Sequence, residues 1–273
     1  MFSSVLIAGL AATTAYASPF AARSYNSTSS GAPNIYAPSG TGAPSRATMM
    51  TSYGNPSATP NPAIPSGLVA SLLTADSEVS RFKLLAAQDP THQVFDFNPA
   101  ANAGVKPGLG GQVDLANRAN FPILTGLGIS AATLFFNPCG LNTPHIHPRA
   151  TEFFTVATDG RIETGFVLEN GLTTEFNTTL TQFQGTVFPQ GSIHFQQNLE
   201  CTPQVAIAGL NSEDPGASSI AQNFFALDPA VVDAALGFPA QIDASNFAKF
   251  KSAIPAPFVE GIESCLRRCN IKY

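Results

Sequence analysis

Three of the chain's four histidines fall in two short segments, P-H-I-H-P-R-A-T-E from Pro144 to Glu152 and P-Q-G-S-I-H-F-Q-Q-N from Pro189 to Asn198. On a strand, residues two apart face the same side. His145 and His147 can therefore aim two imidazoles into one cavity, while Glu152 supplies an oxygen from across a bend and His194 closes the set from another strand. Three neutral nitrogens and one carboxylate, with no thiolate, suit manganese, with iron as the alternative, and such a set leaves positions open for water or substrate. His92, in the loop-like D-P-T-H-Q stretch, reads instead as a surface or hydrogen-bonded residue.

Turn chemistry organises the middle of the chain. Asp159-Gly160 separates T-E-F-F-T-V-A-T from R-I-E-T-G-F-V-L-E, and Asn170-Gly171 separates that run from L-T-T-E-F. Both dipeptides favour the two-residue turns of antiparallel hairpins, which predicts a meander. With strands around Ile129, Val187 and Val205, the pattern is that of an all-β barrel or sandwich, and Phe135, Phe153, Phe166, Phe188 and Phe195 are expected to fill its core. Helices are expected at both ends. A pair lies within Leu68 to Ala87; beyond about residue 228, Asp228 caps Val231 to Leu236 with Pro229 in the first turn, Asp243 caps Phe247 to Ser252, and a third segment runs from Phe258 toward Arg268.

The N-terminus sets the compartment. Val5 to Ala12 is apolar and uncharged, too short to span a bilayer, and Ala15-Tyr16-Ala17 is a small-x-small cleavage signal, so residues 1–17 read as a secretory signal peptide. Residues 18–65 are rich in Ser, Thr, Pro, Gly and Ala and read as a flexible arm that cannot offset its ordering entropy. Residues 66–273 then form one folded domain. Asn26 and Asn177 each begin a glycosylation sequon. Only 11% of residues are charged and the net charge is -5, so no basic stripe invites nucleic acid or an anionic membrane. Four cysteines in a secreted chain imply two disulfides, with three connectivities. Cys139 and Cys201 flank the histidine segments at expected strand ends, which favours their pairing and leaves Cys265 with Cys269.

These segments resemble the paired motifs of the cupin superfamily, and their wording resembles germins and germin-like, spherulin-type proteins. N-F-P-I-L-T-G-L-G-I-S from Asn120 to Ser130, F-N-P-C-G-L-N-T-P-H from Phe136 to His145 and L-N-S-E-D-P-G from Leu210 to Gly216 continue the likeness, which covers the chain from about Arg81 to Phe250. The resemblance implies a single-domain double-stranded β-barrel, the jelly roll, followed by C-terminal helices that clasp neighbouring subunits in a homo-oligomer, a trimer or hexamer. It implies a secreted, extracellular or cell-wall manganese protein with His145, His147, Glu152 and His194 as ligands. The activity implied is oxidation of a small carboxylate such as oxalate, or dismutation of superoxide. The alternative is a non-catalytic wall, storage or stress protein. Asn142 matches one substrate-side asparagine of oxalate-oxidising germins, whereas Ala132 stands where they carry another. Two further departures fall at strand ends: one extra residue separates Glu152 from Gly160, and Phe183 replaces the glycine expected six residues before Pro189.

Overall fold

Strand alternation in the sequence becomes two facing antiparallel sheets. The computed structural model describes residues 55–272 except 56, 103, 238–245 and 256. The expected signal peptide, the arm up to residue 54, the Asn26 sequon and the Asp243 cap lie outside the described residues. In chain order the strands are β1 Gly111–Ala116, β2 Ser130–Phe136, β3 Gly140–Ile146, β4 Glu152–Val156, β5 Ile162–Val167 and β6 Phe176–Leu180; β7 Gly185–Phe188, β8 Ile193–Asn198, β9 Gln204–Leu210, β10 Ser218–Ser219 and β11 Phe258–Glu260 follow. One sheet runs β1-β2-β9-β4-β7 and the other β10-β3-β8-β5-β6, with β11 also pairing β3. This is the jelly roll, mostly antiparallel sheet with a few helices near the ends of the described chain.

The core between the sheets holds Phe136, Phe154, Phe188, Val156, Ile162 and Leu134. Glu152 points inward, so the two-residue period of β4 also sends Phe154 and Val156 inward and turns Phe153 outward, where it is 56% exposed. Phe153 is thus not a core residue, contrary to expectation; Phe135 and Phe188 are buried, and Phe166 packs partly buried against the core.

The expected meander is half corrected. β4 belongs to the first sheet and β5 to the second, so Asp159-Gly160 carries the chain between sheets rather than closing a hairpin. Gly160 is needed for close approach instead: a Cβ there would lie 2.2 Å from the side chain of Gln204, whose Oε1 accepts a hydrogen bond from the Gly160 N–H. β5 and β6 do pair, with Phe166 opposite Phe176. Their connection contains Gly171 at φ 108°, but it is longer than a two-residue turn.

Helices α1 Leu68–Thr74 and α2 Glu78–Ala86 form the expected N-terminal pair. Leu68, Leu72 and Leu85 cluster with Ile64, and Asn61 donates its amide to the Asp96 carbonyl, so the chain is already docked before residue 66. Further along, α3 Ile220–Phe224 precedes α4 Pro229–Ala235, α5 Phe247–Ala253 and α6 Glu263–Arg268. The Asp228 carboxylate caps α4 by accepting from the Ala230 N–H. Phe258, expected to open a helix, instead starts β11, where it pairs with Asn142. Among the described residues no helix is long and apolar enough to cross a membrane.

The disulfides also differ from expectation: Cys139 joins Cys265, and Cys201 joins Cys269. The loops carrying Cys139 and Cys201 are indeed neighbours, since the Cys139 N–H donates to the Glu200 carbonyl. But α6 lies across both loops, and residues four apart on a helix share a face. Cys265 and Cys269 therefore each take one loop cysteine, and the sulfurs of Cys139 and Cys269 sit 3.4 Å apart.

Candidate metal centre

Strand register places the four candidate ligands. His145 lies directly opposite His194 across β3 and β8, while Glu152 starts β4 in the facing sheet, so the cluster bridges the two layers of the barrel. A register shift in β3 falls between Asn142 and His145. This irregularity lets two residues three apart line the same cavity, which strict alternation forbids.

Each imidazole is held through its Nδ1. That of His145 lies 2.8 Å from the Thr143 carbonyl, that of His147 2.6 Å from the Gly216 carbonyl, and that of His194 2.9 Å from the Ser192 carbonyl. A carbonyl can only accept, so these contacts put the ring proton on Nδ1 and leave the Nε2 lone pair free to ligate. The ligand atoms of His145, His147, Glu152 and His194 all lie within 4.8 Å of one another. Glu152 Oε2 is 2.9 Å from His147 Nε2 and 3.3 Å from His194 Nε2, yet the His194 nitrogen is buried and makes no hydrogen bond. A buried, unpartnered His194 Nε2 converging with two further imidazoles on one carboxylate is the arrangement a cation resolves. The set of three nitrogens and one oxygen therefore fits a metal ion.

Burial and mutual charge set the protonation states. Burial, reinforced by His194, drives the His145 pKa down to about 3. At His147 burial pulls the same way, but the hydrogen bond and charge of Glu152 outweigh it and raise the value. Burial opposes ionisation of Glu152, yet its contacts with His147 and His194 hold it down at about 2. A carboxylate and a neutral His145 are the forms a metal requires.

Beside the cluster, between the sheets, lies a cavity of about 290 Å³. Ala132 and Asn142 both line it, from opposite sheets, and the Asn142 amide donates to Gln196 Oε1 at 2.7 Å. Asn177 is exposed on β6. His92 sits apart from the cluster, its ring nitrogens near the carbonyls of Asp89 and Ala63. Phe188, expected only as a core residue, also stacks its ring on His194 at 4.3 Å and 11°; the carbonyl of Gly216 is marked in the sequence only by the L-N-S-E-D-P-G stretch.

A two-sheet antiparallel barrel with three histidines and a glutamate converging between its layers defines a cupin. The chain belongs to that family: the family described as Cupin matches residues 98–243. Within it the relatives are spherulins and germin-like proteins. Spherulin-1A of Physarum polycephalum is 38% identical over 211 residues, covering 77% of this chain and 82% of the relative. Germin-like protein 8-5 of Oryza sativa subsp. japonica is 43% identical over 136 residues, covering 50% of this chain and 60% of the relative. Among solved structures, an oxalate oxidase in complex with the substrate analogue glycolate matches with TM-score 0.50 and 26% identity, over 61% of this chain and 82% of that one.

Proposed function

We propose that this is a secreted, manganese-binding germin-like cupin, with iron as the alternative ion, acting as an oxidoreductase on a small carboxylate such as oxalate or on superoxide. The observation that carries the reading is the convergence of three Nε2 lone pairs, their tautomers fixed from behind, on one buried carboxylate. His145, His147, Glu152 and His194 would hold the ion, which when bound would polarise and orient a small anion at its open positions. The chain's own contribution is to keep His145 neutral and Glu152 ionised, to lock the rings, and to wall the site from bulk water.

A second reading, a non-catalytic wall, storage or stress protein, is favoured by Ala132. A methyl group there cannot donate to a substrate carboxylate, and an unpaired buried acceptor costs about 1–3 kcal/mol. Oxygen uptake and peroxide release with oxalate should be at least about tenfold weaker than in Ala132→Asn at equal metal loading, a factor equivalent to about 1.4 kcal/mol. Superoxide consumption should change less. Undiminished oxalate oxidation by the unmodified protein would remove Ala132 as a determinant, and no turnover in either variant would favour the second reading.

Secretion, glycosylation at Asn177 and Asn26, and assembly into a trimer or hexamer belong to the same proposal. Asn177 is open to solvent on β6. For assembly, the outer face of the β1-β2-β9-β4-β7 sheet presents Phe153, Val187 and Ile207, each about half exposed, on adjoining strands, an apolar surface suited to a second copy.

A further inference from the structure

The cavity beside the cluster is built for more than a two-carbon dianion. Its volume is about 290 Å³, and a water occupies about 30 Å³ in the liquid, so a ligand as small as oxalate would leave room for several waters. Those waters would face hydrocarbon. Val113, Leu115, Leu134, Ala208, Leu210 and Phe258 line the space, and all six belong to, or pack against, the barrel core. Apolar walls favour a ligand whose own apolar body displaces that water. Polar groups are few: His145, His147 and Glu152 of the cluster, Asn142, Gln112 and Ser219, and Lys106, the one Lys or Arg among the described lining residues. Lys106 is itself exposed to solvent.

We propose that the site takes a 2-hydroxy or 2-oxo monocarboxylic acid bearing a branched or aromatic hydrocarbon side chain. The inference rests on the metal-binding reading above and narrows its substrate class. His145, His147, Glu152 and His194 would hold the ion, which when bound would offer its remaining positions to a carboxylate with a neighbouring oxygen. The hydrocarbon side chain then occupies the space between Val113, Leu134, Ala208 and Phe258. Lys106 supplies the positive potential that draws the anion toward the cavity.

The test is calorimetric titration of the full chain, loaded with manganese and assayed for metal content, with glycolate, lactate, 2-hydroxyisocaproate and mandelate. Each methylene buried should tighten binding about fourfold. The branched and aromatic acids should therefore bind at least about tenfold tighter than glycolate. Ala208→Leu, which fills the space, should erase the gain along the series. Should that variant fail to fold, Lys106→Gln on the surface is expected to weaken every acid and flatten the salt dependence of binding. A flat series at full manganese loading would overturn this substrate class while leaving the metal reading intact. A protein that takes up neither manganese nor iron would overturn both.

Discussion

The ring of Phe188 lies nearly parallel to that of His194, 4.3 Å away at 11°. Phe188 is 1% exposed and belongs to the core, so one side chain both fills the barrel and fixes the orientation of a candidate ligand. Phe188→Ala should cost about 3–5 kcal/mol of stability and weaken metal binding about 10- to 100-fold, the range seen when support behind a ligand is lost. Denaturant unfolding and metal titration of the same variant separate the two effects. Unchanged metal affinity would show that the Ser192 carbonyl holds His194 by itself.

The two disulfides tie α6 to the loops before β3 and after β8. Peptide mapping of the unreduced protein should recover Cys139 with Cys265 and Cys201 with Cys269, with no thiol titrated after denaturation. Replacing Cys139 and Cys265 together by serine should cost about 2–5 kcal/mol, read by thermal unfolding.

Asp114 is fully buried on β1; one carboxylate oxygen accepts from Gln112 at 2.6 Å and the other has no hydrogen-bond partner. Burial pushes its carboxyl up to about 6, against the downward pull of Gln112. In the unfolded chain the same group releases its proton near its ordinary value of 3.8. Between these values the folded state binds more protons than the unfolded one, so this group's contribution to stability falls as pH rises from about 4 to 6 and is constant above. Asp114→Asn should therefore raise the melting temperature at pH 8, with the advantage fading as the pH is lowered toward 4. A pH-independent difference between the two proteins would contradict the raised value.

If the apolar outer face of the β1-β2-β9-β4-β7 sheet covers a second copy, Phe153→Glu with Ile207→Lys should shift the protein toward monomer in sedimentation. Both residues are exposed in the single chain, so the melting temperature of the resulting monomer should not fall for lack of core packing. An unchanged oligomer would place the contact elsewhere.

How much of this was legible in the sequence depends on the range of the interaction. The ligand cluster was readable because alternation and turn residues act locally, and His145 with His147 needed only a two-residue period. Phe153 and Phe154 could have been assigned correctly by counting from Glu152, once that residue was taken to point inward. Asp159-Gly160 misled because turn preference does not say whether the flanking strands pair with each other. The β3 irregularity and the position of α6 arise from long-range packing, so Asn142's place in the cavity and the cysteine pairing were not deducible from spacing. Phe183 shows a departure absorbed rather than avoided: it adopts φ 62°, a region that favours glycine, with its ring 78% exposed.

The central claim is that His145, His147, Glu152 and His194 act together as one metal site. Elemental analysis of the protein purified without added metal, beside His194→Ala and His147→Ala variants with matched circular dichroism, tests it most directly. The expected result is stoichiometric manganese, or iron, in the unmodified protein and a sharp loss in both variants, because no other histidine among the described residues stands near enough to replace the missing imidazole. Full metal content in a correctly folded His194→Ala protein, or none in the unmodified one, would contradict the account.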